Sequence, residues 1–208
     1  VAEGGLTMLL GRNGAGKTTT LRTIMGLWRA VAGEIRFDGR DISHLPTPDI
    51  ARLGIAYVPE SMAIFADLTV QENLVLAARS GPPDARRLDW IFGRFEALKR
   101  FWTLPAGNLS GGQKQMLAVA RAIVEPRRLL LIDEPTKGLA PAIIANMIDA
   151  FRELKDGEAT LLVVEQNVRQ VLKVVDRAYL LEVGRIKASG TSAELLASDD
   201  IRKAYVGL

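Results

Sequence analysis

Apolar positions along the chain fall into two kinds of run. Residues 6–10 (Leu-Thr-Met-Leu-Leu), 128–133 and 159–164 are short and almost unbroken, as expected of strands buried on both faces. Residues 55–58 (Ile-Ala-Tyr-Val) form another such strand, closed by Pro59. A different spacing marks residues 141–154, where Ile143, Ile144, Met147, Ile148, Phe151 and Leu154 share one helical face. Helices are also expected over 17–27, 47–53 and 168–174. Residues 34–38 form a short strand turning at Gly39, and 178–182 with 185–189 form a hairpin around Val183-Gly184. Strands alternating with helices predict a mostly parallel sheet covered on both faces.

Between residues 69 and 124 no strand pattern is found. Residues 70–79 and 85–102 have helical spacing and are separated by Ser80-Gly81-Pro82-Pro83, and a loop over 103–108 leads to a third helix over 112–124. This describes one α/β domain with a core from 1–68 and 125–208 and a helical insertion over 69–124.

Composition narrows the field. The chain has 208 residues, 48% of them hydrophobic, which is enough for one substantial core. Its net charge of +3 is small and its basic residues are dispersed, so it does not read as a nucleic-acid binder. The absence of cysteine excludes disulfides and thiolate metal sites, and suits a reducing compartment. No apolar run is long enough to span a bilayer, so any membrane role is peripheral.

The chemistry begins after the first strand. Gly11-Arg12-Asn13-Gly14-Ala15-Gly16-Lys17-Thr18 fits G-x-x-x-x-G-K-[ST] and opens a helix that continues with Thr19. Glycines let backbone N–H groups approach phosphate oxygens, and the helix start favours the same anion. Lys17 adds a point charge near the β- and γ-phosphates, and the Thr18 hydroxyl suits Mg²⁺. The strand at 129–132 ends in Asp133-Glu134. Strand alternation sends these two acids to opposite sides, so Asp133 is expected to hold Mg²⁺ and Glu134 to polarise the attacking water. A second helix start with exposed amides lies at Ser110-Gly111-Gly112-Gln113, where Ser110 is placed to cap.

The full string from Asn108 to Ala122, its position ahead of Asp133 and the phosphate loop together resemble the ATP-binding subunits of ABC transporters, over nearly the whole chain. The resemblance implies a P-loop NTPase core that binds ATP with Mg²⁺. It also implies a head-to-tail dimer with a second such ATPase, identical or similar, in which Ser110, Gly111, Gly112 and Gln113 cap the partner's ATP. Permease subunits and, indirectly, a substrate-binding protein outside the membrane complete the assembly. The ATPase then sits at the cytoplasmic face of the inner membrane. Nothing ahead of Gly11 supplies the family's adenine-stacking aromatic residue, so the family's N-terminal antiparallel strands are expected to be missing from this sequence.

Three departures from the family pattern stand out. Pro59-Glu60 replaces the usual Gln after its strand, and a carboxylate at Glu60 can still ligand Mg²⁺. Gln166 replaces the switch His, and its amide can donate to the γ-phosphate but carries no titratable charge. The loop after Glu134 reads Thr136-Lys137-Gly138-Leu139-Ala140-Pro141 in place of an Asp-containing one. With Gly138-Leu-Ala-Pro141 and Glu165-Gln-Asn167, these resemble the smaller ATPase of branched-chain amino-acid importers, and much of the pattern is shared by urea and short-chain amide importers. The resemblance puts the permease seat near Met62, Ile64, Phe65 and Leu68, with Glu72 at its border. DNA-repair ATPases of the same superfamily carry long coiled-coil arms between the two halves of the site, and there is no room for them here. Ribosome-associated relatives carry two such domains in one chain. Glu134 argues against a nucleotide-binding regulator without turnover. His44 reads as a surface residue; Trp90, Phe101 and Trp102 read as packing within the insertion.

Overall fold

The computed structural model describes residues 1–157, 159–166 and 174–197. The first strand, β1 (Leu6–Leu10), runs straight into the phosphate loop and α1 (Lys17–Ile24). A two-stranded ribbon follows, β2 (Arg36–Phe37) with β3 (Arg40–Asp41), then α2 (Thr47–Arg52) and β4 (Ile55–Val58). Helices α3 (Val70–Ala77), α4 (Ala85–Arg94), α5 (Glu96–Arg100) and α6 (Gly111–Ile123) precede β5 (Leu129–Asp133). After that come α7 (Pro141–Gly157), β6 (Thr160–Glu165), β7 (Arg177–Glu182), β8 (Arg185–Gly190) and α8 (Ser192–Ala197).

The main sheet has the order β4-β5-β6-β1-β7-β8. Five of its strands are parallel and only β8 runs back, against β7. Every residue of β1, β5 and β6 is buried, as the unbroken apolar runs require of strands covered on both faces. One apolar cluster lies on each side of the sheet. The smaller gathers Leu9, Leu21, Ile50, Ile55, Leu131 and Val164 under α1 and α2. The larger joins Leu6, Met8, Leu10, Leu130 and Ile132 to α7 and to the helices between β4 and β5, including Leu74, Ile91, Phe95 and Leu117.

Several expectations need correction. Residues 85–102 do not form one helix. Phe95, at φ −122 and ψ 62, leaves helical geometry to drive its ring into the core, so the chain breaks between α4 and α5. Residues 34–38 shorten to the two residues of β2, because only Arg36 and Phe37 find a partner strand. The expected helix over 168–174 lies almost entirely outside the described residues. Trp102 packs edge-on against Phe92 as expected, but Trp90 reaches out of the insertion, its indole N–H donating to Glu153 of α7 at 3.0 Å.

Fully buried Phe95 belongs to the apolar cluster that joins the insertion to α7 and the sheet. Phe95→Ala is therefore expected to lower the stability of the whole chain by about 3–5 kcal/mol, in a single unfolding transition by chemical denaturation.

Candidate functional site

The carboxyl ends of the parallel strands build the site. Register pairs Leu10 with Glu165, Asp133 with Val164 and Val58 with Ile132, so β1, β4, β5 and β6 all end at one edge. Their next residues are the phosphate loop, Pro59-Glu60, Glu134 and Gln166. Polar chain ends gather where apolar strands stop, the edge at which open α/β sheets take their ligands.

Gly11 is buried at the end of β1, and a Cβ there would lie 2.5 Å from the Leu181 carbonyl oxygen and 3.0 Å from the Ala15 Cβ. Only glycine lets the loop turn against β7. Gly16 caps α1 at φ +106, a left-handed geometry that a side chain disfavours. The loop is held by Ala15 N–H donating to Arg12 O at 3.1 Å, and by Gly184 N–H of the β7–β8 turn donating to Ala15 O at 2.9 Å. Arg12, Asn13 and Gly14 stay exposed, and Thr19 faces out from the first turn of α1. Lys17 is 5% exposed; its ammonium donates to Arg12 O at 3.2 Å and lies 3.6 Å from Glu134 Oε1.

Asp133 is fully buried, and its Oδ2 accepts from the Tyr57 hydroxyl at 3.3 Å while Oδ1 has no partner. Burial pushes its pKa up; the hydroxyls of Thr18 and Tyr57 oppose this, and the carboxylates of Glu134 and Glu60 add to it. A carboxylate so placed, with one oxygen free and the Thr18 hydroxyl beside it, fits a hydrated divalent cation. Among the described residues no cluster of three or more His, Cys, Asp or Glu holds a metal by itself. One partnerless carboxylate oxygen beside a hydroxyl suits Mg²⁺ whose remaining ligands are phosphate oxygens and water.

Glu134 sits at φ 47 with its amide bonded to Val164 O at 2.9 Å. That strained backbone turns its side chain into the site. Gln166 Nε2 donates to Glu134 Oε1 at 2.7 Å and also bonds the Asn13 side chain. Glu60 pairs with Lys137, its Oε1 2.5 Å from the ammonium, and Lys137 lies 3.4 Å from Glu134 Oε2. Thus Asn13, Lys17, Glu60, Asp133, Glu134 and Gln166 come together at this edge.

Ser110 to Gln113 stand apart, on the helices between β4 and β5. The Ser110 Oγ accepts from Gln113 N–H at 3.4 Å, while Gln113 Oε1 accepts from Ser110 N–H at 2.8 Å. This capping box leaves Ser110 and Gly111 exposed at the start of α6, with Gly112 half-buried. Of the residues beside the proposed permease seat, Met62 and Ile64 pack inward, whereas Phe65 is 49% exposed under the Arg121 guanidinium. Glu72 closes a capping box with Thr69 at the start of α3. His44 is exposed.

Sequence reasoning missed three residues. Tyr57 reaches Asp133 from the neighbouring strand, and Lys137 joins two carboxylates. Glu165 is 2% exposed and accepts from both Thr136 N–H (2.8 Å) and Thr136 Oγ1 (2.7 Å), fastening the loop after Glu134 to β6. An acid closing an otherwise apolar strand was the available signal for Glu165, the same signal that exposed Asp133.

This loop, strand edge and acid pair define a P-loop nucleoside triphosphatase. Residues 1–137 match the ABC transporter family model. Over its full length the chain is 42% identical to the high-affinity branched-chain amino acid transport ATP-binding protein BraG of Pseudomonas aeruginosa, covering 90% of it. It is 39% identical, again over its full length, to the probable branched-chain amino acid transport ATP-binding protein LivF of Archaeoglobus fulgidus, covering 89% of it. The lipopolysaccharide export system ATP-binding protein LptB of Haemophilus influenzae is 36% identical over 96% of this chain and 84% of its own. A solved ATP-binding cassette of an ABC transporter in its ADP conformation superposes with a TM-score of 0.81 at 26% identity, over all of this chain and 90% of the other. The chain belongs to the ABC transporter ATP-binding family and is an ATP-hydrolysing enzyme.

Burial raises the Glu165 pKa above its ordinary 4.5, against the opposing pull of the Thr136 hydroxyl and amide. The folded chain therefore binds that proton more readily than the unfolded chain. Ionised Glu165 costs stability at neutral pH, and the cost fades as pH falls through the raised value towards 4.5. The stability of Glu165→Gln relative to the parent chain, measured by denaturation at stepped pH, should accordingly be greatest near neutrality and decline on acidification.

Proposed function

We propose that this chain is the ATPase subunit of an ABC importer for branched-chain amino acids, working as a head-to-tail dimer beneath a pair of permease subunits at the cytoplasmic face of the inner membrane. The convergence of Lys17, Asp133, Glu134 and Gln166 on the phosphate loop carries the ATPase half of this reading. Identity over the full length to two branched-chain amino acid transport ATP-binding proteins supports the transport half. No helix among the described residues is long and apolar enough to cross a membrane, in keeping with a peripheral subunit. A receptor outside the membrane delivers the substrate.

The amides of residues 11–19 take the phosphates of ATP. Lys17 exchanges the Arg12 carbonyl for the β- and γ-phosphates. Thr18 and Asp133, through its free Oδ1, hold Mg²⁺, with Glu60 as a further oxygen ligand. When bound, the ion would supply neutralisation of phosphate charge. Glu134 takes a proton from water as the water oxygen bonds to the γ-phosphorus, and the bond to the β-γ bridging oxygen breaks to give ADP and phosphate. Gln166 fixes the Glu134 carboxylate and, on leaving Asn13, donates its second amide hydrogen to the γ-phosphate; being an amide, it does so without a titratable charge. Ser110, Gly111, Gly112 and Gln113 cap the ATP on the partner subunit, so each chain completes the other's site. A solved relative, 24% identical, is described as a dimeric ATP-binding cassette bound to ADP and phosphate.

A lipopolysaccharide-export reading has one observation in its favour, the likeness to LptB, at lower identity. Urea or short-chain amide import is a further alternative, resting on the shared sequence pattern alone.

Glu134→Gln should still bind MgATP while turnover in the reconstituted assembly drops on the order of 10²–10⁴-fold, read as phosphate release. Unchanged turnover would remove Glu134 as the base. In proteoliposomes holding the permease pair and receptor, leucine, isoleucine or valine should stimulate ATP hydrolysis. Stimulation by urea, amides or lipopolysaccharide instead would reassign the substrate.

A further inference from the structure

Lys137 is used by nothing in the reaction above, yet it touches two of its carboxylates. Its ammonium lies 2.5 Å from Glu60 Oε1 and 3.4 Å from Glu134 Oε2. Glu60 is the residue read here as a metal ligand, and in this structure its carboxylate is engaged by an ammonium. The engagement is directed by the backbone. Lys137 N–H bonds Glu134 O at 3.3 Å, and the preceding Thr136 is fastened twice to the buried Glu165. The stem of Lys137 therefore rises from a fixed point between the two acids. The contact itself is open to water, with the Lys137 side chain 57% and the Glu60 side chain 47% exposed. An exposed ion pair is weak and exchangeable. A divalent cation arriving beside Asp133 carries twice the charge of the ammonium and competes for the same carboxylate oxygen.

We propose that Lys137 is a resting counter-cation for Glu60, which the divalent metal must displace before Glu60 joins it, so that Lys137 sets how much metal the nucleotide site needs. The proposal rests on the reading of Glu60 as a metal ligand. Metal-free carboxylates at this edge would otherwise repel one another, and the ammonium holds them in place until the metal takes over. Displaced, Lys137 also releases Glu134 Oε2, which the proposed base needs free. The metal's arrival and the base's readiness are thereby coupled through one side chain.

Mn²⁺ is the probe. Its affinity for the stoichiometric complex of the purified protein with a non-hydrolysable ATP analogue is measured by electron paramagnetic resonance of the free ion. Lys137→Ala should tighten Mn²⁺ binding about two- to fivefold, the range of an exposed ion pair, and the gain should shrink as salt screens the pair. Glu60→Gln should weaken Mn²⁺ binding, and Lys137→Ala should add nothing in that background. If Glu60→Gln weakens binding but Lys137→Ala leaves it unchanged or weakens it, the counter-cation role is overturned while Glu60 keeps its metal. An equal gain from Lys137→Ala with and without Glu60 likewise overturns it, since Lys137 then acts through another group. If Glu60→Gln leaves Mn²⁺ affinity unaltered, the metal role of Glu60 fails first and the proposal with it.

Discussion

Parallel strands in register must all end on the same side. In this chain β4, β5, β6 and β1 are apolar almost to their last residue, and each hands over at that edge to a polar group. The sheet sets the spacing of Glu60, Asp133, Glu134 and Gln166 around the phosphate loop, because neighbouring strands lie about 4.8 Å apart. No side chain in the site has to find its partners alone. The loop is pinned from below by Gly11 against Leu181 and from the side by the β7–β8 turn. The β7–β8 turn thus helps to shape the phosphate loop through the Gly184 amide.

Charge is the second constraint at this edge. Glu60, Asp133 and Glu134 face two ammonium groups, Lys17 and Lys137, and Asp133 is pushed towards its protonated form by burial and by its acidic neighbours. Such a site holds more negative charge than its own lysines balance comfortably, which favours a divalent cation. Glu165 lies just outside it, buried, and is spent on holding Thr136 in place. The cost of burying that acid is offset by a fixed loop, from which Lys137 and Glu134 reach their partners.

The insertion between β4 and β5 answers a separate need. Its helices share the larger apolar cluster with the sheet, so they are packed as firmly as the core. At their far end the capping box of Ser110 and Gln113 keeps the start of α6 open to solvent. A well-packed support with an exposed helix start is in keeping with the cap proposed above for a partner's ATP.

Much of this was written in the chain. Unbroken apolar runs gave the buried strands, the G-x-x-x-x-G-K-[ST] pattern gave the phosphate loop, and the acids at the end of β5 marked the sheet edge where the polar groups gather, because each depends on near neighbours in sequence. The break at Phe95 was not legible, since helical spacing continues through it and only the shape of the core pulls the ring inward. Nor was the tie from Tyr57 to Asp133, made across strands whose register is set by packing, or the tie from Glu165 to Thr136, made between a strand end and a distant loop. By itself the sequence determined where the buried strands, the phosphate loop and the acids closing β5 lie along the chain. Tertiary structure alone decided that Lys137 stands between Glu60 and Glu134, because a loop's reach is fixed by what holds its two ends and not by its own residues.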